Sequence, residues 1–252
     1  DAFSGKGISI LKNATEESLQ ETLGFAVSQS GSGEALIEEY VEGQLFSHSA
    51  FISGGKISTD FIVREYSSVN PFVVDVSFVD RGFDSTMLDT IRSSVERIAA
   101  HLNLRDGLFH TQFISDGQHC WMIEVTRRCP GDLYSRLIER STGFNYAAAY
   151  AECFLGNSAS HVADCDDGLF VMRHTITQNQ TCGFLSLDFG LNVPFEFVPV
   201  AITGESLSPS PGGRVGLVFA KAADEEALSN LVDATLRNEL YTLERLRENG
   251  GH

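Results

Sequence analysis

The sequence predicts an α+β protein, with hairpins and helices in blocks rather than in the βαβ alternation of a doubly wound sheet. Three observations carry this. Gly54-Gly55 and Asp116-Gly117 each separate two apolar runs, the signature of antiparallel hairpins. Between those hairpins Met87, Ile91, Val95, Ile98 and Leu102 recur at helical spacing. From Leu169 onward the pattern turns mostly to strands.

Taken in order, 7–11 reads as a short strand leaving a glycine loop. Residues 14–27 read as a helix, with Thr15 as N-cap, Glu16 and Glu17 at its positive end, and Leu19, Leu23 and Val27 spaced by four. A second short strand is predicted over 35–40, a hairpin over 46–52 and 56–63, and a strand over 71–79. The helix of 87–102 leads to the hairpin 107–115 and 119–125. Helices are predicted over 132–140 and 145–155, and a polar linker over 156–168. Strands then follow at 170–177, 183–189, 195–202 and 214–220. A charged amphipathic helix over 223–248 closes the chain, with Glu225, Glu226, Asp233, Arg237, Glu239 and Glu244 on its solvated face.

Composition narrows the function. The 252 residues are 42% hydrophobic and 21% charged, enough for a substantial core. The net charge is -16, with 34 Asp and Glu against 18 Lys and Arg. That disfavours nucleic acid and anionic membrane as partners, because neutralising phosphates needs a basic face. It leaves room for a small anion held by a few local cations. Cys120, Cys129, Cys153, Cys165 and Cys182 contain no C-x-x-C pair, which argues against a zinc knuckle or a thioredoxin-type site and fits the reducing cytoplasm. No apolar run approaches the ~20 residues of a membrane span. The chain starts Asp1-Ala2-Phe3 without Met, so it is expected to be a piece of something longer.

Three segments can carry chemistry. Ser4-Gly5-Lys6-Gly7 precedes a predicted strand, and small residues let backbone N–H groups approach a phosphate; read alone it is also an ordinary glycine turn. It lacks the lysine-threonine/serine ending of a P-loop. Glu38-Glu39-Tyr40-Val41-Glu42-Gly43 reads equally as an acidic turn. The third segment is the most specific. Gln112 and Glu124 lie either side of the Asp116-Gly117 turn and are centred on position 118, so with a short loop both can face the same side of a hairpin. Two such oxygen donors suit Mg²⁺, and Arg128 nearby offers a planar cation to a phosphoryl or carboxylate group. A surface polar pair with a solvated arginine remains the alternative. His48, His110, His119 and His174 are scattered and read as satisfied polar groups, and Cys129 reads as packing.

In this order the segments "DAFSGKGI", "ALIEEYVEG", "GLFHTQFISDGQHCWMIEVTRRCPGD" and "STGFNYAAAYAECFLG" resemble the ATP-grasp superfamily, in its carboxylate–amine ligase and carbamoyl-phosphate-synthase-like branch. The resemblance covers residues 1 to about 156. "GLFVMRHT" and "PGGRVGLVFAKAADEEAL" look like the extra C-terminal lobe of the amino-acid-ligase members. It implies an ATP-grasp fold with a small β-rich C-terminal lobe. Residues 1–41 would be the remainder of the small lobe, 42–160 the large lobe with the metal site, and 161–252 the C-terminal lobe.

The resemblance also implies roles. Ser4, Gly5, Lys6 and Gly7 match the loop that covers the ATP phosphates. Glu38, Glu39 and Val41 match the adenine hinge. Gln112 and Glu124 match the ligands of Mg²⁺ or Mn²⁺, with Thr126 as a further metal or phosphate contact. Arg128 matches the arginine that steadies the acyl phosphate. Gly131 and Asp132 would lie beside the acceptor site, and Arg173 would touch substrate from a C-lobe strand. Small-molecule carboxylate and amine substrates and a cytoplasmic location follow, and a homodimer is compatible.

Leu45, Gln112 and Thr126 depart from the family, which more often has Glu, Glu and Asn there; the carbamoyl-phosphate synthases share the Gln. The expected activity is ADP-forming ligation through an acyl phosphate, with a catalytically silent nucleotide-binding relative as the alternative. The family's phosphate-binding lysines would precede Asp1, so these residues alone are expected to bind ATP poorly and to turn over nothing.

Overall fold

A computed structural model describes residues 5–12, 14–157 and 168–246. Helix α1 (Glu16–Gln29) precedes the hairpin of β1 (Gln44–Ser53) and β2 (Lys56–Tyr66). Strand β3 (Val76–Val79) leads into α2 (Ser85–His101), and a second hairpin follows, β4 (Gly107–Ser115) and β5 (Cys120–Thr126). Helices α3 (Tyr134–Thr142) and α4 (Tyr146–Phe154) come next. The remainder holds β6 (Phe170–Thr177), β7 (Cys182–Phe189), β8 (Phe195–Pro199), β9 (Ser206–Leu207), β10 (Arg214–Ala222), α5 (Glu225–Leu236) and β11 (Tyr241–Arg245).

Eight strands make one antiparallel sheet in the order β5-β4-β1-β2-β3-β6-β10-β8, and β11-β7-β9 form a small second sheet. The α+β expectation is therefore met. The large sheet continues past residue 160, because β6 pairs with β3 through Val76↔His174, Ser77↔Arg173 and Phe78↔Met172. The predicted linker itself lies mostly outside the described residues.

Strand alternation sends successive side chains to opposite faces. On one face Phe46, Ala50, Phe109 and Phe113 bury against Ile91, Val95 and Ala99 of α2. On the other, Phe51, Val63 and Leu108 bury against Tyr134, Leu137, Ile138, Phe144 and Tyr146 of the α3–α4 region. A third cluster joins Leu228, Leu231 and Val232 of α5 to Met172, Val218 and Ala220 of β6 and β10. Each large side chain so buried contributes about 1.5–3 kcal/mol.

Four expectations need correction. Residues 7–11 and 35–40 are not strands, since no described strand lies beside either to complete a ladder. Ile8, Ile10, Leu36 and Ile37 are correspondingly exposed. The strand predicted over 71–79 shrinks to Val76–Val79. The Asp75 carboxylate accepts from the Ser68 and Val69 N–H groups at 2.8 and 3.2 Å and from Ser68 Oγ at 2.8 Å, folding 67–75 into a loop. Finally, the closing helix stops at Leu236, and β11 takes Tyr241–Arg245. Asn238 adopts a left-handed φ of 58°, its N–H reaching Thr235 O and the Glu239 N–H reaching Ala234 O. That double bond pattern terminates helices, so Glu239 and Glu244 leave the helical face.

Candidate active site

The β4–β5 hairpin sets Gln112 directly opposite Glu124 and His110 opposite Thr126. A bulge follows between Gln112 and Phe113. The Gln112 amide is committed on one side, where Nε2 donates to Glu65 Oε2 at 2.7 Å. Its carbonyl oxygen is left as the donor for a cation beside the exposed Glu124 carboxylate. Among the described residues no group of three or more His, Cys, Asp and Glu is placed to hold a metal. An amide and one carboxylate fit Mg²⁺, which takes its remaining ligands from phosphate and water.

Glu65 is the residue that sequence reasoning missed. Register places Gln112 beside Ser47, Leu45 beside Glu65, Glu65 beside Ser77 and Ser77 beside Arg173, all on one face of the sheet. Leu45, where a family Glu was expected, therefore has the Glu65 carboxylate as its cross-strand neighbour. Burial lifts the Glu65 carboxyl above its usual range, Glu124 adds to the lift, and the Ser47 and Gln112 hydrogen bonds and the Arg173 charge oppose it. A lone glutamate in the run Val63-Arg64-Glu65-Tyr66 carries no motif; only its inward alternation with Val63 could have marked it.

Arg173 is buried, and Nη1 donates to the Asp132 carbonyl oxygen at 2.9 Å. Its Nε and the Ser77 hydroxyl have no hydrogen-bond partner. Arg214 pairs with the Asp132 carboxylate at 2.5 Å. These C-terminal residues hold a turn in which Asp132 and Leu133 are both left-handed, at φ 54° and 53°, immediately before α3. Each such non-glycine residue costs roughly 1–2 kcal/mol, so the turn persists because it is braced. Arg128 is exposed above it, with Nη1 donating to Cys129 O at 3.3 Å, and Gly131 is exposed beside it. The Arg128 N–H lies 3.4 Å from Thr126 Oγ1.

Below the hairpin runs a polar seam. His110 Nδ1 bonds Ser49 Oγ at 2.7 Å, Ser49 bonds Tyr146 at 3.1 Å, and Tyr134 bonds Ser47 at 3.2 Å. Burial pushes His110 down to about 3, so the ring is neutral. His174 is likewise satisfied, by Asp75 O and Tyr241, whereas His48 meets Asp60 through Nε2 at 2.8 Å and its buried Nδ1 has no partner among the described residues.

The remaining predicted residues lie on irregular segments. Ser4 lies outside the described residues. Gly5 and Gly7 are left-handed, at φ 70° and 75°, in a turn ahead of α1, with Lys6 exposed between them. Glu38 and Glu39 are exposed and Val41 is half-buried, on backbone that joins no ladder. Just beyond, a Cβ on Gly43 would lie 2.6 Å from Ile114 Cγ2 and from Ser115 O, so the chain crosses β4 in close contact there.

The family profile described as ATP-grasp domain matches residues 9–136, just over half the chain. The chain belongs to the ATP-grasp family. No curated protein matches it. Among solved structures, this ATP-grasp chain is similar to phosphoribosylglycinamide synthetase from Anaerococcus prevotii (13% identity, TM-score 0.67, covering 93% of this chain and 61% of that one). It is also similar to L-amino acid ligase from Bacillus licheniformis (17%, 0.67, 83% and 53%). The third is the biotin carboxylase domain dimer of 2-oxoglutarate carboxylase from Hydrogenobacter thermophilus, solved with MgADP, ADP and bicarbonate (14%, 0.71, 98% and 56%). The chain thus spans between about half and three fifths of the length of these structures. At such identities the likeness establishes the ATP-grasp fold. No described helix is long and apolar enough to cross a membrane.

Proposed function

We propose that the complete protein is an ATP-dependent carboxylate–amine ligase. The observation that carries this reading is the Gln112–Glu124 pair, set beside the braced turn that presents Arg128. In the proposed reaction the γ-phosphoryl group passes to a carboxylate oxygen and ADP leaves. The amine nitrogen then bonds the acyl carbon, phosphate departs, and the nitrogen loses a proton.

Gln112, Glu124 and Thr126 would hold Mg²⁺, which neutralises phosphate charge when bound. Ser4, Gly5, Lys6 and Gly7 would lie over the phosphates, and the backbone of 38–41 would meet the base. Arg128 would stabilise negative charge on the acyl phosphate, and Gly131 and Asp132 would border the acceptor. Arg173 would act as a positioning residue, because its Nη1 donates to the Asp132 carbonyl oxygen.

The test is ADP release by the complete protein with Mg²⁺ and pools of carboxylates and amines. Arg128→Ala and Glu124→Ala should each lower kcat by about 10²-fold or more with folding intact, the scale of losing one transition-state charge contact. If no pool releases ADP while Mg·ATP binds, the ligase reading fails and the protein is a silent nucleotide binder.

A further inference from the structure

The glycine loop meets the loop that joins β2 to β3. A Cβ built on Gly5 would lie 2.7 Å from Phe72 Cβ and 2.8 Å from Phe72 O. Real side chains essentially never approach so closely, so only glycine fits, and its φ of 70° reinforces that. A Cβ on Gly7 would lie 3.0 Å from Gln29 Cβ at the end of α1. The loop is therefore wedged between α1 and the 67–75 loop that leaves β2 just after Glu65.

The Phe72 side of this wedge is itself braced. Asn70 Oδ1 accepts from the Phe72 N–H at 3.0 Å, and the Val73 N–H reaches Asn70 O at 3.0 Å. Asn70 Nδ2 donates to Ser210 O at 3.4 Å, tying the loop to the segment before β10. The Asp75 clasp on Ser68 and Val69 closes its other end.

We propose that the Phe72 backbone is the seat of the glycine loop and that Asn70 is the positioning residue that holds the seat. The seat is made by residues of this chain alone. It fixes the loop at the edge of the Glu65–Gln112 face, so less ordering is left to be done on binding. The consequence for ATP rests on the phosphate reading of the loop; the seat does not.

Trypsin cleavage after Lys6 reads the seat directly, in the nucleotide-free protein. Gly5→Ala and Asn70→Ala should each speed that cleavage several-fold, with melting temperature within a few degrees of the parent. Asn70→Asp keeps the acceptor for the Phe72 N–H but loses the donor to Ser210 O, and should cleave at a rate between the parent and Asn70→Ala. The double variant should be no faster than Gly5→Ala, because both release the same contact. Parental cleavage rates in both single variants, or additive effects in the double, would overturn the seat. In the complete enzyme Asn70→Ala should raise KM for ATP more than it lowers kcat. Faster cleavage with an unchanged KM upholds the seat and instead removes the phosphate role of the loop.

Discussion

Replacing Arg173 by Ala should unlock the turn below Arg128 and expose the cost of the buried carboxylates around it. The lost bond to Asp132 O is charge-assisted and buried, worth about 1.5–3 kcal/mol. Arg173 also opposes the burial-driven lift of the Glu65 and Asp75 carboxyls. Removing one member of such a buried set costs about 3–5 kcal/mol. At about 2–4 °C per kcal/mol for a chain of this size, the melting temperature should fall roughly 6–20 °C. The pH dependence has a definite sign. A carboxyl raised in the folded state contributes fully below its unfolded value and loses that contribution as pH rises through the folded value. Without Arg173 the lift is larger, so the gap from the parent should widen with rising pH across a range of about pH 4 to 7, opening only once the parental carboxyls, themselves raised above their ordinary values, begin to ionise. Thermal melts across that range, with Arg173→Lys recovering the charge but not the fork, make the assay. A melting temperature at pH 7 within about 2 °C of the parent, at the 2–4 °C per kcal/mol scale, would refute the argument, as would a gap independent of pH.

Two further outcomes test other parts of the fold. Asp60→Asn removes the carboxylate that Arg92 grips at 2.7 and 2.8 Å and His48 at 2.8 Å; with Arg92 able to resolvate, the loss should be about 2–3 kcal/mol. Burial lifts the Asp60 carboxyl, but these bonds outweigh it and hold the group well below its ordinary range; the contribution is present above the unfolded value and fades as pH falls, so urea melts should show a constant gap from pH 5 to 8 that narrows only in stronger acid. Gly216→Ala puts a Cβ 2.3 Å from Phe197 Cε2 and 2.7 Å from Val198 O, and should cost roughly 1–3 kcal/mol by overpacking the β10–β8 pair, visible as a lower denaturant midpoint.

Hairpins were legible because their evidence is local. Gly54-Gly55 and Asp116-Gly117 mark turns wherever they occur between apolar runs. Spacing placed Gln112 and Glu124 on facing strands, but their direct pairing is decided by a loop of residues 116–119 and by the bulge between Gln112 and Phe113. The helices of 14–27 and 87–102 were legible for the same reason, through caps and four-residue spacing within one segment. The 7–11 and 35–40 segments were not, because a strand exists only with a neighbour, and apolar residues name no neighbour. The closing helix was overextended because Asn238 shows its left-handed turn only in three dimensions.

The sequence by itself determined the α+β class, the two hairpins, the amide and carboxylate on facing strands and the ATP-grasp resemblance, all of which rest on short-range spacing and motif order. Only the tertiary structure decided that Glu65 underlies Gln112, that Arg173 supports Asp132 from another strand, and that Gly5 lies against Phe72. Those contacts join residues 41 to 67 positions apart. They are set by strand order across an eight-stranded sheet, and strand order follows from burying both faces of the sheet together, which no local window of sequence contains.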